Sequence, residues 1–146
     1  MEWRRGDYRV SDDRAALDRA AVHRFLAEDS YWAANIPRGV IDKAIDHSLC
    51  FGLYRGQAQL GFARVVTDRA TFGYLCDVFV EKAHRGAGLG KWLVESLLSH
   101  PDLQGLRRLC LMTRDAHELY APHGFRPLPD PARYLEIHNP DVYRNA

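Results

Sequence analysis

Apolar positions change their spacing several times along the chain, and each change marks an element. The stretch EWRRGDYRV, residues 2–10, alternates and predicts a first strand. SDD, at 11–13, offers N-cap oxygens and early negative charge. The helix it opens carries Leu17, Ala21, Phe25 and Leu26 on one face and ends near Asp29. SYWAANIPRG follows, aromatic-rich and broken by Pro37 and Gly39. VIDKAIDHS then predicts a short second helix with Val40, Ile41, Ala44 and Ile45 inward. Three strands come next: LCFGLYRG, QAQLGFARVVTD and TFGYLCDVFV. Turns at Arg55-Gly56 and Asp68-Arg69 are short enough to make both connections antiparallel hairpins. Trp92, Leu93, Leu97 and Leu98 mark a helix that Pro101 ends. LRRLCLMT reads as a buried strand and DAHELYAPHGF as a short helix stopped by Gly124, with GFRPL and ARYLEIH as closing strands.

The order is β-α-α-β-β-β-α-β-α-β. A strand–helix–strand crossover late in the chain forces parallel pairing there. The fold class is α/β (α+β): a mixed sheet with helices on both faces. The 146 residues suit one domain spanning 1–146.

Charge narrows the function. With 20 basic and 19 acidic residues the formal charge is +1, which argues against nucleic-acid binding through general electrostatics. No apolar run approaches the ~20 residues of a membrane span. The N-terminus lacks the apolar core of a secretory signal. Cys50, Cys76 and Cys110 each sit in an apolar run, as reduced core thiols of a cytoplasmic protein would. No Cys/His spacing suits a metal.

The chemistry concentrates in VFVEKAHRGAGLGKWL, from Val78 to Leu93. Gly86, Gly88 and Gly90 give G-x-G-x-G, one residue short of a dinucleotide fingerprint, and no acidic residue closes a following strand. A phosphate loop of the G-x-x-x-x-G-K-[ST] type fails on spacing too, and Trp92 stands where its hydroxyl should be. A glycine loop opening a helix still suits a pyrophosphate, because its backbone N–H groups turn inward and Arg85 and Lys91 add cations.

Arg85, Gly88 and Gly90, as R-x-x-G-x-G between strand and helix, resemble the acetyl-CoA loop of the GNAT N-acetyltransferase superfamily. V-x-V at Val78 and Val80 precedes the loop as in that family, and A-x-x-x-Y-x-x-x-G-F (Ala116, Tyr120, Gly124, Phe125) resembles its second signature. The phrases SYWAANIP, FARVVTD, HPDLQGLRR and TRDAHELY look like those of a group of small bacterial members. The resemblance implies acetyl-CoA as donor, held by Val78, Phe79, Val80, Arg85, Gly86, Ala87, Gly88, Leu89, Gly90, Lys91 and Thr113. Thr113 stands where many relatives carry Asn, and has less reach toward the CoA arm. The resemblance also implies a carbonyl polarised by a strand N–H near Val78, and Tyr120 as general acid.

Asp77 is a charge inside an apolar strand. It is either paired structurally, with Arg64 as partner, or active in the site. Alternation places it with Leu75 and Phe79. Glu28 or a water are other bases. Tyr31, Trp32 and Arg38 are the acceptor-site candidates, suited to a small amine that carries a carboxylate. The leading reading is therefore direct acetyl transfer to a primary amine of a small molecule. The alternatives are a catalytically silent acyl-CoA sensor and an acetyltransferase for protein or peptide amines. Homodimers are common in the resembled family.

Overall fold

The computed structural model describes residues 1–144. Six strands form one sheet in chain order: β1 (Glu2–Arg5), β2 (Tyr8–Ser11), β3 (Leu49–Arg55), β4 (Ala58–Thr67), β5 (Phe72–Val80) and β6 (Arg108–Leu111). Neighbours from β1 to β5 are antiparallel, and β5 and β6 are parallel. The crossover between β5 and β6 runs through α3 (Leu89–Leu98). That covered connection is what a parallel pair requires.

The predicted first strand is a hairpin. Gly6 takes φ +59°, and Trp3 pairs with Val10 across the turn. Gly6-Asp7 is itself a two-residue turn sequence, hidden in the alternation of its flanks. The first helix is also divided. Asp13 accepts from the Ala15 N–H to cap a 3-10 turn, Arg14–Ala16. Asp18 accepts from Ala21 to cap α1 (Arg19–Arg24). A wide π turn, Phe25–Asp29, closes it where the sequence places its end, with the Ser30 N–H donating to the Phe25 carbonyl. α2 (Arg38–Asp46) buries Ile41 and Ile45, but Val40 is 41% exposed and lies off the inward face.

Strand alternation feeds two cores. Phe51, Leu53, Val65 and Leu75 meet Leu93, Val94 and Leu97 of α3 on one face. Phe62 and Phe79 meet Val22, Phe25, Leu26, Ile41 and Ile45 on the other, where Phe25 stacks on Phe79 at 3.9 Å between centroids. Each such side chain contributes about 1.5–3 kcal/mol on burial.

Alternation breaks at Asp77, which has φ +55°. The phase therefore slips: Leu75 shares its face with Val78 and Val80, and Phe79 turns to the opposite core. The expected grouping of Asp77 with Leu75 and Phe79 does not survive this bulge.

The C-terminal part departs most from expectation. β6 is short, half-buried and at the sheet edge, and Met112 is exposed. α4 is a single turn (His117–Tyr120) continued by a 3-10 turn and stopped by Gly124 at φ +96°. Neither GFRPL nor ARYLEIH forms a strand, and Leu135 and Ile137 are 90% and 104% exposed. Pro127, Pro129 and Pro131 lack the N–H groups a ladder needs.

Two glycines separate crowding from freedom. A Cβ on Gly61 would lie 2.7 Å from the Phe79 carbonyl oxygen, while one on Gly39 would meet nothing within 4 Å. Gly61→Ala should lower stability by about 1–3 kcal/mol. Urea unfolding should show a lower midpoint at unchanged slope. Gly39→Ala should leave the midpoint level or raise it.

Candidate active site

β5 and β6 pair only from Phe72–Arg108 to Leu75–Leu111. Beyond Leu75, β5 stays paired with β4 (Phe62 with Phe79, Gly61 with Val80) but has no partner on its other edge among the described residues. The strands separate where Asp77 adopts its left-handed conformation, and β4 shifts register opposite it between Phe62 and Arg64. The backbone around Val78 thus faces an open notch, with an edge free to hydrogen-bond an extended ligand.

Asp77 is held from two sides. The Trp32 Nε1–H donates to Oδ1 at 2.9 Å, and the Arg64 Nε–H donates to Oδ2 at 2.8 Å. Arg64 also donates from Nη1 to Ser48 Oγ. The Asp77 side chain is 8% exposed and both its oxygens are engaged. This is the Arg64 pairing that the sequence offered as one of two roles. The carboxylate in turn raises the Arg64 pKa against the burial that would lower it.

The glycine loop closes the notch's far end. Gly86 and Gly88 have φ +92° and +73°, and Gly88 is the N-cap of α3, so the loop's own path requires them. Gly90 is different: a Cβ there would sit at an ordinary 3.8 Å from Val80 Cγ2. Nothing in the free fold demands glycine at 90, but its absence of side chain keeps the first turn of α3 open. The first helical hydrogen bond runs from the Trp92 N–H to the Gly88 carbonyl, leaving the N–H groups of Leu89, Gly90 and Lys91 without partners among the described residues. Such a terminus favours a phosphate, so the residues fit the pyrophosphate end of a CoA donor.

Other candidates fall into place unevenly. Leu89 and Phe79 send their side chains into the cores, which leaves only their backbones to a ligand. Ala87 and Lys91 are exposed. Arg85 donates from Nε to the Val80 carbonyl at 2.9 Å and ties the loop to the end of β5. Arg5, which the sequence did not single out, donates to the Ala87 carbonyl and lies over the Trp92 ring. Thr113 Oγ1 accepts from the Ala116 N–H at 3.0 Å, so its hydroxyl starts the α4 turn.

Tyr120 packs edge-on against Phe125 at 5.8 Å and is largely buried. Burial, and then the nearby Tyr31, push its phenol up to about 12. Its oxygen is nonetheless not among the enclosed, partnerless ones, in contrast to Tyr54. Tyr31 and Trp32 meet edge-to-face at 5.1 Å and are half exposed. Arg38 does not join them; its Nε turns along α2 to Asp42 at 3.3 Å. The cation at the aromatic pair is Arg114, 3.8 Å above the Tyr31 ring. Position 114 is far from 31 in the chain, and no local signal links them.

The three cysteines are free thiols. Burial holds Cys50 up at about 11 and Cys76 at about 12, so both stay protonated. No group of His, Cys, Asp and Glu suited to a metal ion occurs among the described residues.

Residues 46–127 match the Acetyltransferase (GNAT) domain family. The Gibberella zeae protein named "Putative acetyltransferase FG08082" is 37% identical over 142 residues, covering 82% of this chain and 79% of that protein. A crystal structure from Xanthomonas campestris pv. campestris, of a protein ascribed to the GNAT family, is 49% identical. It superposes with a TM-score of 0.91 over 93% of this chain and 96% of that one. A Clostridium acetobutylicum structure with acetyl-CoA shares the fold at a TM-score of 0.67 and 15% identity, over 94% of this chain and 96% of that one. An unpaired notch beside β5, a glycine-opened helix and these relatives agree: the chain belongs to the GNAT acetyltransferases, whose acetyl donor is acetyl-CoA.

Proposed function

We propose that this enzyme transfers an acetyl group directly from acetyl-CoA to the primary amine of a small molecule, with Tyr120 as general acid. The observation that carries the reading is the unpaired β5 edge at Val78, in the same packed cluster as Leu89 of the open first turn of α3 and Tyr120. Acetyl-CoA supplies an activated thioester. The first-turn N–H groups of α3, with Lys91, hold its pyrophosphate, and Arg85 and Arg5 brace the loop that presents them. The Val78 backbone hydrogen-bonds the pantetheine arm and polarises the carbonyl. Tyr120 donates a hydrogen bond and then its proton to the departing sulfur, while the nitrogen gives up one proton to water; solvent restores the phenol. Asp77, with both oxygens engaged, positions Trp32 and maintains the notch. Unpaired thiols suit a cytoplasmic setting.

Tyr120→Phe should lower turnover by about 10²-fold or more while acetyl-CoA affinity stays level. Thiol release and calorimetry measure the two separately, and an unchanged turnover removes Tyr120 from the role. Because the phenol sits at about 12, it remains protonated across the working range. Activity should therefore climb as the acceptor amine loses its proton, with no alkaline decline below pH ~10. A descending limb centred nearer neutrality contradicts the assignment.

Gly90→Ala tests the donor site from the opposite direction. Alanine favours the helix by about 1 kcal/mol over glycine and has room in the free protein. Thermal stability should hold or rise, and acetyl-CoA affinity should fall. Equal affinity in both proteins shows that the opening over α3 is not used.

A further inference from the structure

Among the described residues Arg114 is a charge without a counter-ion, set over the Tyr31 ring. Three arginines of the helices and sheet near the α1–α2 connection are committed elsewhere: Arg64 to Asp77 and Ser48, Arg38 to Asp42, and Arg19 to Asp42 and Asp46. Arg114 makes no ion pair or hydrogen bond among the described residues, and its only partner interaction is the Tyr31 ring beneath it. Glu28 and Asp29, on the turn before Tyr31, do not pair with it either. Its place follows from the sheet. Leu75 and Leu111 are the last paired residues, and Val78 and Arg114 each lie three residues beyond them on the two diverging segments. Trp32 leans edge-on against Tyr31 and is fixed through its indole N–H to Asp77.

An aromatic wall, a stacked guanidinium and a neutralised carboxylate therefore share one side of the notch. We propose that Arg114, seated on Tyr31, binds a carboxylate on the acceptor, so that this enzyme acetylates amines of the amino-acid class. The inference rests on the acetyltransferase reading above. Stacking leaves the edge of a guanidinium free, and that edge matches the two oxygens of a carboxylate. The Asp77 charge is cancelled by Arg64, and the guanidinium on the Tyr31 ring is that of Arg114. One such charge complements a carboxylate. It falls short of a phosphate, which carries about −1.5 to −2 at neutral pH and calls for several cations. It repels a polyamine.

The test is thiol release from acetyl-CoA over free amino acids, the corresponding amino-acid amides, phosphorylated amines and polyamines. Free acids should exceed their amides in kcat/KM by on the order of 10–100-fold, the worth of a charge-assisted hydrogen bond. In Arg114→Ala that preference should collapse through KM, and Arg114→Lys should restore part of it. Equal use of acid and amide by the unaltered enzyme overturns the proposal. So does a preference for phosphorylated amines or polyamines, or an acid-to-amide ratio that Arg114→Ala leaves intact. Calorimetry of N-acetylated amino acids in the presence of CoA separates this inference from the reading beneath it. Binding that Arg114→Ala abolishes, with no turnover of any amine, upholds Arg114 and refutes acetyl transfer. Turnover of other amines, with no binding of N-acetylated amino acids, refutes Arg114 and upholds transfer.

Discussion

The Asp77 carboxylate, gripped by the Arg64 guanidinium and the Trp32 indole, is the interaction on which the architecture of the site depends. A non-glycine residue in the left-handed region costs about 1–2 kcal/mol, and a strand offers it no local compensation. Hydrogen bonds to a charged group are worth about 1.5–3 kcal/mol each, so two of them outweigh that strain. Removing either partner would leave a buried carboxylate short of donors, which is the costly case. The pair thus fixes a bulge that the backbone alone would not adopt. The bulge slips the side-chain phase, sends Phe79 into the core under α1 and turns Val78 toward α3. Without that slip β5 has no evident reason to leave β6 after Leu75, and the notch closes.

Beyond the notch, each end is secured by a different device. On one side Arg85 and Arg5 fasten the glycine loop through backbone carbonyls, one at the end of β5 and one within the loop. Arg5 also lies over the Trp92 ring of α3's first turn. On the other side Thr113 starts the α4 turn, and Gly124 ends the segment in a left-handed conformation, which holds Tyr120 in the core edge-on to Phe125. Phenol burial and hydroxyl access are satisfied together because the helix is a single turn at the sheet edge.

Most of the fold was legible because it obeys short-range rules. The β3–β5 hairpins, α3 and its proline stop follow from alternation, turn residues and spacing. The glycine loop was legible for the same reason, being contiguous. Four features escaped. The first hairpin hid because its turn residues sit inside an unbroken alternation. The Asp77 bulge escaped because alternation assumes one conformation for every strand residue. The closing strands were overread: their apolar spacing is right, but Pro127 denies GFRPL a donor, Pro129 and Pro131 break the run between the two segments, and ARYLEIH leaves Leu135 and Ile137 exposed. Finally, the arginine grouped with Tyr31 and Trp32 was Arg38, the nearest in sequence, whereas Arg38 reaches Asp42 one helical turn away and the guanidinium over the Tyr31 ring is that of Arg114.

That last difference has a physical logic. The proposed donor half of the site is made of backbone: a free strand edge, a helix terminus and glycines that stay out of the way. Backbone groups are the same in every residue, so many sequences can present them and a short motif suffices to announce them. The proposed acceptor half is made of side chains drawn from the α1–α2 connection, from β4 and β5 and from the segment after β6, each aimed by its own packing. Changing one of them changes what is bound without disturbing the donor. On the proposed reading, donor chemistry is accordingly carried by the fold, and acceptor choice by contacts such as Arg114 on Tyr31, which depend on how distant segments meet.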